Sequence, residues 1–214
     1  IRRTIEAYGL VRENLLLHAP DFPSKEQLLE VVHASCPAFG IAGVGEGKST
    51  AGSRHLVAVV DRADSRPVWV AVWGGANCLA QALWDVQHTR PPAETEAFVA
   101  KLRVYAISDQ DDAGYWVRRT FPKLFYIVSP TTVEEPDYAS ATWSGISSKR
   151  TFSEHIELVE NSWLTAHVRE GHGPLGARYP AIAFIMEGDT PSFLNLVANG
   201  LAAVKESIMA YKVK

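Results

Sequence analysis

Strand-length runs of unbroken apolar residues recur along this chain, each separated from the next by a segment with helical spacing. The runs are "RPVWVAVW" (66–73), "RVYAIS" (103–108), "KLFYIVS" (123–129) and "AIAFIM" (181–186). A strand with one face in water alternates polar and apolar side chains; an unbroken run belongs to a strand covered on both faces, as in parallel sheets. The intervening segments "ANCLAQALWDVQHT" (76–89), "PAETEAFVAKL" (92–102), "AGYWVRRTF" (113–121) and "SEHIELVENSWLTAHVRE" (153–170) read as helices. Upstream, "IRRTIEAYGLV" has apolar residues at 1, 5, 8 and 11, "SKEQLLEVVHAS" (24–35) starts at a Ser cap, and "RHLVAVVDRA" (54–63) is helical. "NLLLHA" (14–19) is predicted to be a short strand, and "SFLNLVANGLAAVKESIMAYK" one or two helices. Alternating strands and helices predict an α/β fold with a doubly wound, mainly parallel, Rossmann-like sheet, organised as a single domain over 1–214.

Charge excludes some partners. There are 21 basic and 24 acidic residues, a net charge of −3, and no basic block. A nucleic-acid partner is not expected, because phosphate binding needs clustered positive charge. The apolar runs are far too short to span a membrane, so no membrane partner is expected either. No secretory leader pattern is visible, and a chain that starts at Ile1 inside an amphipathic helix is expected to be truncated at its N-terminus. Cys36 and Cys78 match no metal spacing and are too few for a disulfide scaffold; buried thiols are the expectation. The seven histidines show no H-x-x-x-H or H-E-x-x-H spacing, and no G-x-S-x-G elbow occurs.

In a parallel α/β sheet the ligand site lies beyond the carboxyl ends of the strands. Gly74-Gly75-Ala76-Asn77 follows one strand, Ser108-Asp109-Gln110-Asp111-Asp112 another, and Glu187-Gly188-Asp189-Thr190-Pro191 the last. Three strands thus end in glycines, amides or carboxylates on one rim, a convergence that marks binding sites. A plainer reading stands beside it. Ser108 or Asp109 would cap the following helix, with Asp111 and Asp112 against its positive end. Gly74-Gly75 would be a tight turn with Asn77 as cap, and Asp189 an ordinary turn residue. The glycine-rich stretch 40–53 contains "GVGEGKST", but Ala42 stands where a phosphate-binding loop needs its first glycine, so a flexible loop beside the pocket is expected.

Taken in order, "VWVAVWGGANCLAQALW", "KLRVYAISDQDDAGYWVRRTFPKLFYIVSP", "GHGPLGARYP" and "IMEGDTPSFL" resemble the nucleoside hydrolase-like domain of a family of cellulose-binding proteins, over about residues 1 to 201. The loop Val44-Gly45-Glu46-Gly47-Lys48 resembles the same pattern. The resemblance implies the fold of the calcium-dependent nucleoside N-ribohydrolases, in which Ca2+ on the carboxyl rim binds ribose hydroxyls and the attacking water. Calcium takes carboxylate and carbonyl oxygens, the donors found here. By the resemblance, Asp189 and the Ala76 carbonyl are metal ligands, and Asn77, Asp109, Gln110, Asp111, Asp112 and Glu187 face the sugar. The catalytic base is expected in an aspartate-rich motif upstream of the opening helix, and nothing in residues 1 to 20 matches it. Either the chain is a fragment of a longer protein or it has lost that half of the site. The tail differs too, ending as a plain helix where the family continues into a Gly/Trp-rich stretch.

The expected function is therefore a hydrolase-like protein acting on a glycosidic or N-ribosidic bond. The alternatives are a non-catalytic carbohydrate-binding module, with Trp73, Trp84, Trp116 or Trp143 stacking on sugar rings, or the same fold repurposed for another, biosynthetic reaction. Related hydrolases form dimers or tetramers, and a homodimer is the expectation by that analogy.

Overall fold

The computed structural model describes residues 1–128 and 155–181. These fall into two compact units, 1–33 with 155–181, and 34–128. The expected strand at 181–186, the helices after it and the polar loop at 130–148 lie outside the described residues.

In the first unit, α1 (Arg2–Leu16) packs against α2 (Lys25–Glu30) and α8 (Gly173–Gly176). The loop after α1 is bound back onto it: Tyr8 Oη donates to the Pro23 carbonyl at 2.6 Å, and Arg12 donates to the carbonyls of Phe22 and Pro23. The strand expected at 14–19 does not form. Asn14 to Leu16 are the last turn of α1, because leucine has high helix propensity and, unlike valine or isoleucine, is not branched at Cβ. Helix α2 starts where expected, with Ser24 and Gln27 forming a reciprocal capping box, but stops at Glu30 ahead of the β-branched pair Val31-Val32. The helix expected over 153–170 is instead a 3-10 turn (Ile156–Val159), a short α7 (Asn161–Leu164) and a π turn (Thr165–Arg169). Glu160 is extended at φ −89°, ψ 162° and interrupts the ladder.

The second unit holds the sheet. Strands β1 (Val68–Val72), β2 (Leu102–Ala106) and β3 (Phe125–Val128) are parallel and adjacent in chain order. Val68 pairs with Leu102 and Val72 with Ala106; Arg103 pairs with Phe125 and Ala106 with Val128. Helices α4 (Asn77–Thr89) and α5 (Pro92–Lys101) connect β1 to β2, and α6 (Ala113–Thr120) connects β2 to β3. Helices α4 and α6 touch each other and share one core with the strands. In that core Leu102, Val104 and Ala106, which share one face of β2, are buried against Leu79, Leu83, Val86 and Val117. On the opposite face Trp69 and Phe125 are partly exposed and meet edge to face, with the Arg103 guanidinium over the Phe125 ring. The sheet is thus parallel α/β as expected, with one face covered among the described residues.

Helix α3 (Ala51–Val60) begins at Thr50, whose hydroxyl accepts from the Ser53 N–H in a second capping box. Its C-terminus is fastened by Lys101, whose Nζ donates to the Val60 and Arg62 carbonyls at 2.6 Å, a cation placed on the negative end of the helix. Asp61, the residue after α3, forms a two-pronged ion pair with Arg90. Leu83 is fully buried beneath the sheet. Replacing it with alanine is expected to lower unfolding stability by about 2–5 kcal/mol, read as a lower urea midpoint at an unchanged slope.

Candidate functional site at the carboxyl edge

The carboxyl ends of β1 and β2 meet at one carboxylate. Asp111 Oδ1 accepts the N–H of Ala76 at 3.0 Å and the N–H of Ala113 at 3.1 Å. One buried oxygen therefore serves the first amides of both α4 and α6, where helix dipoles favour negative charge. Gly75 is required here, since a Cβ on it would fall onto Asp111 Oδ2.

The neighbouring acids are spent in other directions. Asp112 Oδ1 accepts from the Ile41 N–H at 2.8 Å, and that oxygen occupies the place a Cβ on Gly40 would take. Gly40 also has φ +50°, a left-handed conformation natural to glycine. Asp109 pairs with Arg118 through two bonds of 2.8 and 2.6 Å. The Arg118 guanidinium lies 5.3 Å from the Tyr126 ring centre. Burial pushes the Tyr126 phenol above its ordinary range, and the neighbouring Arg118 guanidinium opposes that shift. Gln110 Nε2 donates to the Trp73 carbonyl at 3.2 Å.

Helix α4 uses its N-terminal half to hold the glycine-rich loop. Asn77 Nδ2 donates to the carbonyls of Cys36 and Ala38, at 3.1 and 2.7 Å. Gln81, fully buried, reads both sides of one peptide: its Oε1 accepts from Gly45 N–H at 2.7 Å and its Nε2 donates to Gly45 O at 3.1 Å. The same Nε2 reaches Asp85, which also accepts from Ser49 Oγ. Lys48 Nζ folds onto the Ala42 and Val44 carbonyls of its own loop. A phosphate-binding loop needs that ammonium turned toward the phosphates. The loop is a fastened flap over the helix, not a nucleotide cradle. Cys36 and Cys78 are free and half-buried, less enclosed than expected.

Of the rim residues read from the sequence, Ala76 and Asp111 are joined directly, while Asp109, Gln110 and Asp112 turn to other partners. The expected cap residues Ser108 and Asp109 do not cap α6: Asp112 is its N-terminal flanking residue, without a side-chain cap bond, and the Ala113 amide is taken instead by Asp111 Oδ1. Asn77 does not cap α4 either, since it lies inside the first turn and Ala76 is the N-terminal flanking residue. The Ala76 carbonyl accepts the Ala80 N–H at 2.9 Å, the first rung of α4. Among the described residues no three His, Cys, Asp or Glu side chains converge in a way that could hold a metal ion. The described donors do not fit calcium by themselves. Asp189 and Glu187 lie outside the described residues. Gln81, Arg118 and Tyr126 were not singled out in the sequence; all three sit in helix or strand interiors, where polar residues give no positional signal.

Residues 1–210 match the family described as cellulose-binding Sde182, nucleoside hydrolase-like domain. The chain belongs to this family. A solved relative is a nucleoside hydrolase-related hypothetical protein from Saccharophagus degradans that is associated with carbohydrate metabolism. It shares 39% sequence identity with a TM-score of 0.72, over 90% of this chain and 41% of that one. The chain therefore spans about two fifths of its relative's length. No curated protein matches the sequence. The Sde182 domain resemblance read from the rim motifs holds, and the match reaches Ala210.

The rim geometry of this Sde182 domain makes a specific demand on residue 111. Asp111→Ala strips two buried amides of their acceptor and is expected to cost about 2 kcal/mol of unfolding free energy. Asp111→Asn keeps an acceptor oxygen and is expected to cost clearly less. Equal losses in chemical denaturation would show that charge, not the shared acceptor, holds the two turns.

Proposed function

We propose that this domain binds a saccharide at the carboxyl edge of its sheet. The observation that carries the reading is membership, over residues 1–210, in a family described as cellulose-binding, joined to a fold whose ligands sit at that edge. The edge offers what a polyhydroxylated ligand uses. Asp111 and Asp112 are spent through one named oxygen each, and a carboxylate has about four acceptor positions. Titration of the full chain with cellohexaose in a calorimeter, alongside a pull-down on insoluble cellulose, tests it. Saturable heat and retention on cellulose are expected. Neither signal in a folded chain overturns the reading.

A second reading is favoured by the family's relation to nucleoside hydrolases. Here the domain acts on a glycosidic or N-ribosidic bond with calcium held by Asp189 and the Ala76 carbonyl, and bound calcium would supply a more acidic water. A metal that binds only the folded state at about 100 times its dissociation constant adds roughly 2.7 kcal/mol. The expected outcome is a higher unfolding midpoint in calcium than in chelator, abolished in Asp189→Ala. Identical midpoints in calcium and chelator would remove the metal-centred reading and leave the binding one standing.

A further inference from the structure

The backbone from Cys36 to Ile41 is fastened to the carboxyl edge at both ends. Asn77, in the first turn of α4, donates to the carbonyls of Cys36 and Ala38 at 3.1 and 2.7 Å. Asp112, at the start of α6, accepts the Ile41 N–H at 2.8 Å through Oδ1. Between those anchors, Pro37 has its φ set by its ring. Gly40 lies against Asp112 at φ +50°, where a Cβ would fall on the carboxylate. Phe39 stands between the two, extended at φ −69°, ψ 131°.

Its ring is open to solvent. Phe39 is 69% exposed, the most of any described Phe, Tyr or Trp. Trp69 and Phe125 meet each other, and the Arg119 guanidinium sits over Tyr115. Among the described residues neither a ring nor a guanidinium meets Phe39. A lone exposed apolar side chain is ordinary on a protein surface. What sets this one apart is its footing. The peptides on both sides are held by residues of the two βα turns, so the ring is displayed at the carboxyl edge from a fixed backbone. Beside it, Asp112 uses Oδ1 on Ile41, and a carboxylate has acceptor positions to spare.

We infer that Phe39 is the stacking residue of the saccharide site, its ring against the C–H face of a pyranose while Asp112 accepts a hydroxyl of the same sugar. A β-linked glucose unit carries its hydroxyls around the ring edge and bare C–H groups on its two faces. A flat apolar ring covers such a face, and a carboxylate serves the edge. Because the flanking peptides are already fastened, little ordering is left for binding to do. The assignment rests on the saccharide-binding reading above and gives that site the apolar half its acids lack.

Calorimetric titration with cellohexaose and thermal unfolding without ligand compare the full chain with Phe39→Ala, Phe39→Leu and Phe39→Trp. Alanine and leucine are expected to weaken binding about ten-fold, which corresponds to 1.4 kcal/mol, and tryptophan to keep it. All three are expected to unfold at the parent's midpoint, because an exposed ring supports no core. Parent-like affinity in Phe39→Ala overturns the assignment and leaves saccharide binding intact. Parent-like affinity in Phe39→Leu, with alanine weakened, shows that bulk suffices and overturns stacking. A midpoint lowered by alanine and restored by leucine, with affinity following it, gives the ring a role in the fold and overturns the proposal. A parent chain that does not bind cellohexaose overturns the saccharide reading and this one with it.

Discussion

Asp111 Oδ1 is the point on which the carboxyl edge depends. Two parallel strands joined by helices leave two βα turns side by side, each starting a helix with amides that have no intrahelical acceptor. A single carboxylate oxygen accepting from both Ala76 and Ala113 turns two separate helix starts into one junction. The junction forces glycine at position 75, since any side chain there would displace the carboxylate. With it, the rim acids take fixed directions: Asp112 toward the loop at Gly40 and Ile41, Asp109 toward Arg118 in the second turn of α6.

The loop from residue 36 to 50 has no regular ladder beyond its 3-10 turn at Gly40–Gly43, and several of its backbone groups bond to side chains instead. Side chains of α4 do the work that strand pairing would otherwise do. Asn77 and Gln81, one helical turn apart, present amides on the same face and bind carbonyls at Cys36, Ala38 and Gly45. Amides suit this task because each carries both donors and an acceptor, and Gln81 uses both against one residue. The glycine-rich loop is therefore specified by α4 as much as by its own sequence.

Much of this architecture was legible in the sequence, and the parts that were not share a cause. Continuous apolar runs located β1, β2 and β3, and Ser24 marked the start of α2, because those signals are local. Leu15 to Leu17 misled because three leucines fit either a short strand or a helix end, and only the helix already running through Ile5 and Tyr8 decides. The clustering of acids after β2 was legible; their partners were not. Arg118 lies nine positions beyond Asp109, and Ile41 and Ala76 lie 71 and 35 positions before the acids that bind them. Spacing along a chain carries no information about pairs that only the fold brings together.

An acid-rich strand tip invites a purely functional reading, and the partners found here change its weight. Carboxylates that neighbour one another in sequence repel, and the fold disperses them: one to a guanidinium, one to two helix amides, one to a loop amide. Each bond fixes an orientation, so the remaining lone pairs point in directions set before any ligand arrives. Preorganisation of this kind lowers the cost of ordering a polar edge when anything binds to it. Fastening Asp109, Asp111 and Asp112 gives the carboxyl edge a defined geometry, because each of the three carboxylates is held by a partner far from its sequence neighbours.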